Sequence, residues 1–372
     1  MLSRRQLLGS LAWGAGALAL SARADESDSA LTRGAAWLLA QQADDGGWHS
    51  EAYGALRAGA ATTALVMYAL SHLPLKHEEK KVNRALERGL AFLSPGIKKR
   101  GFVACPDGSL DYPTYGTAML ATAAQQRDFG LAGELRAKFI DWVVSGQLHE
   151  SREFTTSSPH YGGWDLMGAS QVIGLTSDTT VSCSCYALEA IHRGKSDEIK
   201  RTLERAGAWT ERCQDLRNGG GFWFSPDPMS INHKAGWYDD EQTAPKAYAS
   251  ATADGLRCLR YSATDDDKDR HIAAAERYLA GQTEVAHVPG FADPEDPNGW
   301  ALGLRFYYYQ SLAKAIAAVK ADWAAERRAA IRKQLRKSQQ RDGRWQNESG
   351  RMREDDPLIA TSLALTAAAV LE

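Results

Sequence analysis

Four aspartates precede predicted helices and are well placed for acid or metal chemistry. Asp355 and Asp356 form a pair directly before Pro357. Asp178 and Asp240 stand ahead of two earlier helical stretches. The polarised amides at a helix start favour anions, so these carboxylates are candidates for a general acid or for ligands of a metal ion or diphosphate. Aspartate is also a frequent helix cap, and capping is the alternative role for each of them.

A second group of candidates is aromatic and would line a binding chamber. Tyr307, Tyr308 and Tyr309 are consecutive on a predicted helix, and at about 100° per residue at least one of them must face inward. Aromatic walls suit cations, isoprenoid chains or sugar rings, and the alternative role is packing between helices. The candidate substrate-binding residues are Tyr115, His160, Trp164, Tyr248, Tyr307, Tyr308 and Tyr309.

The cysteines and the acidic runs do not form a metal motif. The five cysteines lack C-x-x-C spacing, which argues against a disulfide framework and a structural zinc site. Cys183 and Cys185 lie two apart on a predicted helix and therefore point to different faces. The run Asp265 to Asp269 contains D-D-x-x-D, but it lies in a predicted connection and is interpreted as solvated charge. We expect no metal ion and no cofactor.

The elements that position these residues repeat six times along the chain. In each unit a helical stretch runs into a turn, most often glycine followed by an aromatic residue, and a second stretch rich in Ala, Thr and Leu follows. The turn centres are Gly47-Trp48, Gly101-Phe102, Gly163-Trp164, Gly221-Phe222, Gly299-Trp300 and Arg344-Trp345. The second stretches are Ala61 to Leu70, Tyr115 to Ala124, Asp178 to Ile191, Tyr248 to Leu259, Phe306 to Val319 and Pro357 to Leu371. Each unit is thus a predicted helical hairpin.

Composition and the first residues indicate an exported globular protein. The 372 residues are 44% hydrophobic and carry a formal net charge of -2, which argues against nucleic acid as a partner. Residues 1–24 combine Arg4 and Arg5, an apolar run too short to span a bilayer, and Ala22-x-Ala24. They are interpreted as a twin-arginine-type signal peptide. We expect a periplasmic or otherwise exported protein, with residues 25–372 as one domain and no integral membrane segment after cleavage.

The segment Arg33 to Trp48 resembles the QW repeat of the terpenoid cyclase and protein prenyltransferase superfamily. Tyr161-Gly162-Gly163-Trp164 and Asp355-Asp356-Pro357 more narrowly resemble bacterial exported prenyltransferase/squalene-oxidase-repeat proteins. The resemblance implies an all-α fold, the α6/α6 toroid, in which six inner helices surround a central cavity inside six outer helices. It also implies an apolar small molecule or lipid as ligand.

The motifs that carry the chemistry of this superfamily are absent from the sequence. Alkene protonation needs the strong acid that squalene-hopene-type cyclases supply with D-x-D-D, and the chain has no such motif. The D-x-C element of the zinc prenyltransferases and the Cys-Gly-Glu-Gln of thioester domains are also missing. Standard versions of these reactions are therefore not expected.

Three functions remain open from the sequence. The first is an exported toroid that acts on an isoprenoid or related apolar substrate, which predicts a closed apolar chamber with one buried acid. The second is a non-catalytic toroid that binds a lipid, glycan or protein, which predicts a shallow or plugged centre. The third is an (α/α)6 carbohydrate-active enzyme, which predicts an open cleft with two carboxylates about 5 to 10 Å apart.

Overall fold

A computed structural model describes residues 30–74, 78–168, 178–227, 230, 233–241, 243–263, 269–291, 296, 298–317 and 319–372. The predicted signal peptide, residues 1–24, lies outside the described residues. The acidic residues Asp265, Asp266 and Asp267 of the D-D-x-x-D run do so as well.

The described chain is almost entirely helical. Its helices are α1 (30–40), α2 (Ala60–Ser71), α3 (Glu79–Arg100), α4 (Pro113–Gln126), α5 (Gly133–Ser145), α6 (Val181–Ile191), α7 (Asp197–Arg212), α8 (Ala249–Ser262), α9 (Asp269–Gly281), α10 (Trp300–Gly303), α11 (Arg305–Ile316), α12 (Asp322–Ser338) and α13 (Pro357–Val370). Short 3-10 turns occupy Gly54–Leu56 and Glu150–Arg152. Strands β1 (Gln214–Asp215) and β2 (Gly221–Phe222) pair in antiparallel fashion, with Gln214 opposite Phe222.

Six of these helices form a closed inner ring. Helices α2, α4, α6, α8, α11 and α13 pack in that order, and α13 returns to pack against α2. Helices α1, α3, α5, α7, α9 and α12 lie outside them, each preceding an inner helix in the chain. This arrangement is the predicted α6/α6 toroid.

The two rings differ in how their residues are buried. Ten of the twelve residues of α2 are buried, as expected for a helix surrounded by protein on all sides. Helix α12 buries only the stripe Ala324, Arg327, Ile331 and Leu335 and exposes its charged face. An apolar inner ring and an amphipathic outer ring follow directly from these two patterns.

A glutamine and a tryptophan fix the turn of the first unit. The Gln42 side-chain amide donates to Gly46 O at 2.9 Å and to Ala85 O on the next outer helix at 2.8 Å. The Trp48 indole donates back to Leu38 O at 2.7 Å. Gly46 has φ +93, and a Cβ there would lie 2.5 Å from Arg88 O, so this position requires glycine.

The same bridge recurs in three other turns and closes the ring. Gln147 and Gln214 each donate to a glycine carbonyl of their own turn and to a carbonyl of the next outer helix. Gln339 donates to Gly343 O at 2.8 Å and to Ala30 O at 2.9 Å, which joins the sixth turn to α1. Local turn chemistry therefore also sets the spacing of neighbouring outer helices.

Replacing Gln339 with alanine is expected to destabilise the fold by about 2 kcal/mol, because two backbone carbonyls lose their donor at the ring closure. Urea unfolding followed by far-UV circular dichroism measures the effect. The matched control is Gln340→Ala, because the Gln340 side chain accepts from Arg344 Nε within its own loop and makes no bridge to another helix among the described residues. Equal losses for the two variants would show that the bridge to α1 does not stabilise the ring.

Among the described residues, no helix combines the length and apolar character needed to cross a bilayer. All five cysteines are buried and carry free thiols. Burial raises the pKa of Cys183 to about 12, so this thiol keeps its proton at neutral pH.

Candidate functional site

A chamber of about 440 Å³ opens among the first turns of the inner helices. Its wall combines side chains of α2, α4, α6, α11 and α13 with the segments that lead into inner helices. Apolar and aromatic groups dominate the lining, which is typical of small-molecule sites. The described lining residues are Leu56, Ala61, Thr62, Leu65, Tyr112, Tyr115, Met119, Leu166, Ser182, Tyr186, Phe224, Lys234, Trp300, Tyr307, Arg351, Met352, Arg353, Glu354, Ile359 and Leu363.

A chain of hydroxyl groups runs along the chamber wall. The Tyr115 hydroxyl donates to Ser182 Oγ at 2.8 Å, and Ser182 Oγ lies 2.5 Å from the Tyr307 hydroxyl. The Tyr307 hydroxyl donates in turn to Asp254 Oδ2 at 2.5 Å. Burial raises the pKa of both tyrosines, so their phenols keep their protons. The chain can therefore pass a proton between the chamber and a buried carboxylate.

Asp254, on α8, is the buried end of this chain. Besides Tyr307, it accepts hydrogen bonds from Ser311 Oγ at 2.7 Å and from Arg257 Nη1 at 3.0 Å. Burial raises the pKa of Asp254, although Arg257 opposes the shift. A carboxyl group with a raised pKa is a weaker acid than a free aspartic acid, which is the opposite of what alkene protonation requires.

Glu354 is the one carboxylate among the described residues that line the chamber. It accepts the backbone N–H groups of Phe306 and Tyr307 at 2.9 and 2.8 Å and the Asn347 side-chain amide at 2.8 Å. The carboxylate thus caps the start of α11 from a loop that precedes α13. Burial raises the pKa of Glu354 to about 7, against the effect of these donors. Such a group exchanges its proton near neutral pH.

An ionic network lies deeper, near the last turns of the inner helices. Glu189 on α6 binds Lys314 Nζ and accepts hydrogen bonds from Arg257 Nη2 and the Tyr68 hydroxyl, both at 2.8 Å. Burial alone would raise the pKa of Glu189, but Lys314 and Arg257 hold it at about 2. Lys314 also contacts His72, whose pKa burial lowers to about 3. These charged groups pair with one another inside the inner ring, and none of them is among the described residues that line the chamber.

Both aspartates of the pair predicted as catalytic make hydrogen bonds that hold neighbouring segments in place. Asp356 is the N-cap of α13, with Oδ1 accepting from Leu358 N at 2.9 Å, and it also binds the Ser50 hydroxyl. Asp355 accepts the Tyr53 hydroxyl at 2.5 Å. Neither carboxylate is among the described residues that line the chamber.

The two other predicted aspartates lie apart from each other. Asp178 accepts the Ser230 hydroxyl at 2.5 Å, and Asp240 is exposed between α7 and α8. The helix predicted to begin at Asp178 begins at Val181 instead, because the Thr180 side chain caps it by accepting from Cys183 N. The alternative interpretation of Asp178 as the helix cap is therefore wrong.

The predicted aromatic candidates separate into two groups. Tyr115 and Tyr307 line the chamber, and Tyr248 lines a pocket of about 40 Å³ beside it that also contacts Asp254. Tyr308 and Tyr309 are buried elsewhere in the protein core. Consecutive residues on a helix point about 100° apart, which is why only Tyr307 of the three lines the chamber.

Trp164 and His160 lie in the turn before α6, away from the described chamber lining. The Trp164 indole donates to Val143 O at 2.7 Å, which is the turn-fixing contact made by Trp48 in the first unit. His160 Nδ1 lies 3.1 Å from Thr179 Oγ1. The Trp164 contact positions α6 and gives the indole no surface in the chamber.

His160 also belongs to the group of described residues with ligand atoms close enough to hold a metal ion. One ligand atom each from His160, Asp178 and Asp227 lies within 4.8 Å of the others. His160 Nε2 is 3.7 Å from Asp227 Oδ2. A histidine with two carboxylates is a donor set that suits a divalent cation.

The charged residues of this site were not predicted from the sequence: Lys234, Arg351, Arg353 and Glu354 on the chamber wall and Asp254 behind Tyr307. The sequence could have indicated Glu354 as a candidate, because it directly precedes the aspartate pair before α13. Asp254 follows five small residues, Ala249 to Ala253, within a helix where a buried charge must face a partner. Lys234 and Arg353 carry no local signal, since their position depends on how separate loops meet.

Comparison with known proteins identifies the fold. No family model matches the sequence, and no curated protein matches it. A variant of the type II terpene cyclase MstE from Scytonema, solved with geranylgeranyl dihydroxybenzoate, aligns with a TM-score of 0.60 and 14% identity over 93% of this chain and 97% of its own. The GH76A alpha-1,6-mannanase of Salegentibacter sp. aligns with a TM-score of 0.60 and 11% identity over 93% and 99%. A protein from Actinoplanes aligns with a TM-score of 0.54 and 16% identity over 92% and 98%. At these identities the likeness extends to the fold alone.

Proposed function

We propose that this chain is an exported toroid that binds an isoprenoid or a related apolar molecule in its central chamber. The chamber of about 440 Å³ carries the proposal, because its volume and apolar lining suit a small ligand. The terpene cyclase that shares the fold was solved with a geranylgeranyl compound, which supports a ligand of this kind. The Gln–Trp turns support placing the chain among exported prenyltransferase/squalene-oxidase-repeat proteins.

The chemistry that the chamber supports is proton transfer near neutral pH. Glu354 has a pKa of about 7, and the Tyr307 hydroxyl links the chamber to Asp254. Protonation of an alkene needs a far stronger acid than either carboxyl group provides. We therefore propose acid–base chemistry on a bound apolar substrate, without a protonation-initiated cyclisation.

Glycoside cleavage fits the described chamber less well. That reaction uses two carboxylates about 5 to 10 Å apart across the scissile bond. Glu354 is the one carboxylate among the described lining residues, and Asp254 is held by three donors behind Tyr307. The likeness to the mannanase is one of fold.

Export is proposed from the sequence of residues 1–24. The paired Arg4 and Arg5, the short apolar run and Ala22-x-Ala24 support a twin-arginine-type signal. This route carries folded proteins. The five buried free thiols fit a chain that folds before it leaves the cytoplasm.

Binding to the chamber is tested by filling it. The full chain is expected to bind one farnesol per molecule in native mass spectrometry. Leu65→Trp is expected to weaken that binding at least about tenfold, because an indole replaces a smaller side chain on the chamber wall. The matched control is Ala137→Trp, which adds the same ring at an exposed position of α5. Equal farnesol binding by both variants would place the ligand outside the chamber and contradict the proposal.

A further inference from the structure

Three cationic side chains line the chamber beside its apolar wall. Lys234 and Arg351 lie near the Trp300 ring, with Lys234 Nζ 5.4 Å and the Arg351 guanidinium 5.8 Å from its centroid. Arg353 lies next to the Tyr53 and Tyr112 rings, at 5.2 and 5.3 Å from their centroids. All three cations line the same cavity as the apolar residues.

Lys234 faces the chamber without a carboxylate partner among the described residues. Its Nζ lies 3.3 Å from the Phe224 ring centroid, so the ammonium group contacts aromatic faces instead of an anion. Burial lowers the pKa of Lys234 to about 7. A lysine in this environment gains most from an anion that enters the chamber and pairs with it.

Arg353 also has a polar group that lacks a partner. Its Nη1 is buried and has no hydrogen-bond partner in the described part of the chain. Its backbone has φ +60, a conformation that L residues seldom adopt, and its guanidinium lies near two tyrosine rings. An unpaired buried guanidinium N–H is costly, and an anionic ligand would satisfy it.

The carboxylate of the chamber, Glu354, bonds to amide groups and forms no ion pair with these cations among the described residues. Glu354 already accepts the N–H groups of Phe306 and Tyr307 and the Asn347 amide. Asp111 and Arg353 interact through their charges but form no ion pair among the described residues, and Asp111 Oδ2 accepts from Ala61 N at 3.1 Å. The described lining is therefore apolar over most of its area and positive on one side.

We propose that the ligand of this chamber is an amphiphile whose apolar chain fills the cavity and whose anionic head, a carboxylate or a phosphate, pairs with Lys234 and Arg353. This inference rests on the proposed function and specifies the substrate class of the same site. Arg351 stands at the exposed edge of the chamber and adds to the attraction of an anion.

Matched probes separate the head from the chain. Isothermal titration calorimetry of the full chain with farnesoic acid and with farnesol compares an anionic and a neutral head on one chain. We expect the acid to bind at least about tenfold more tightly than the alcohol. Farnesyl monophosphate is expected to behave like the acid, whereas inorganic phosphate alone is expected to bind far more weakly than either.

Two variants assign the preference to named residues. Lys234→Met and Arg353→Met are each expected to weaken farnesoic acid binding about tenfold and to lower the ratio of the acid to the alcohol binding constant several-fold. The control is Lys246→Met, because Lys246 also contacts a tyrosine ring but does not line the chamber. Even where a variant fails to fold, the ratio of farnesoic acid to farnesol affinity for the unmodified chain tests whether the chamber prefers an anionic head.

The outcomes distinguish this inference from the proposed function. Equal binding of acid and alcohol would overturn the anionic head and leave the apolar chamber standing. Binding of neither compound would overturn the proposed function and this inference with it. Inorganic phosphate that binds as tightly as farnesyl monophosphate would show an adventitious ion only and would also overturn the amphiphile.

Discussion

Replacing Glu189 with alanine is expected to lower the free energy of unfolding by about 3 to 5 kcal/mol. The carboxylate is buried and contacts both Lys314 and Arg257, so its removal leaves two buried cations with one fewer counter-ion. Taking a charge out of water is costly unless a partner replaces the lost hydration. Urea unfolding at pH 7, followed by tryptophan fluorescence and circular dichroism together, measures the loss.

Two comparisons show whether the network causes that loss. Glu276→Ala removes the partner of Arg260 from a partly exposed ion pair and is expected to cost at most about 1 kcal/mol. The double variant Glu189→Met/Lys314→Met removes both members of the closest pair and is expected to recover much of the stability, since apolar groups of similar volume replace it. A loss at Glu189 no larger than the loss at Glu276 would contradict the prediction.

The toroid could be predicted because its signals are local and repeat. Each glycine–aromatic turn lies between two helical patterns. The turn residues Gln42 and Trp48 bond to backbone carbonyls four and ten residues away in the chain. Helix starts were less accurate where several caps compete. Thr180, and not Asp178, caps α6 by accepting from Cys183 N, and the helix therefore starts at Val181.

The chamber could be predicted only in part because its polar groups meet over long chain separations. Tyr115 and Tyr307 were among the candidates, since an inner helix must turn some aromatic side chains toward the centre. Glu354 binds amides 47 and 48 residues earlier in the chain, and no spacing rule relates them. The sequence correctly predicted that Asp355 and Asp356 directly precede α13. It does not show that the neighbouring Glu354 is the carboxylate that lines the chamber.

Replacing Glu354 with glutamine is expected to change how stability depends on pH. The pKa of Glu354 rises from 4.5 to about 7 on folding because the carboxyl group is buried. The folded chain therefore holds a proton that the unfolded chain releases, and stability falls as pH rises from about 5 through 7. A shift of this size corresponds to roughly 3 kcal/mol, which the glutamine variant lacks because its amide does not titrate.

Unfolding free energies measured between pH 5 and 8 for both proteins isolate this effect. Other titrating groups, such as His72 with its pKa of about 3, are common to both and cancel in the difference. For the control Glu348→Gln, at an exposed position of the same loop, the difference in unfolding free energy between the unmodified chain and the variant is expected to stay constant with pH. A constant difference for Glu354→Gln as well would mean that the carboxylate stays ionised on the amides of α11. Its charge would then oppose an anionic ligand at neutral pH. If the difference in unfolding free energy falls as the pH rises, Glu354 is protonated in the folded chain at lower pH. The positive charges of Lys234 and Arg353 then have no negative charge from Glu354 beside them in the chamber, as a ligand with an anionic head requires.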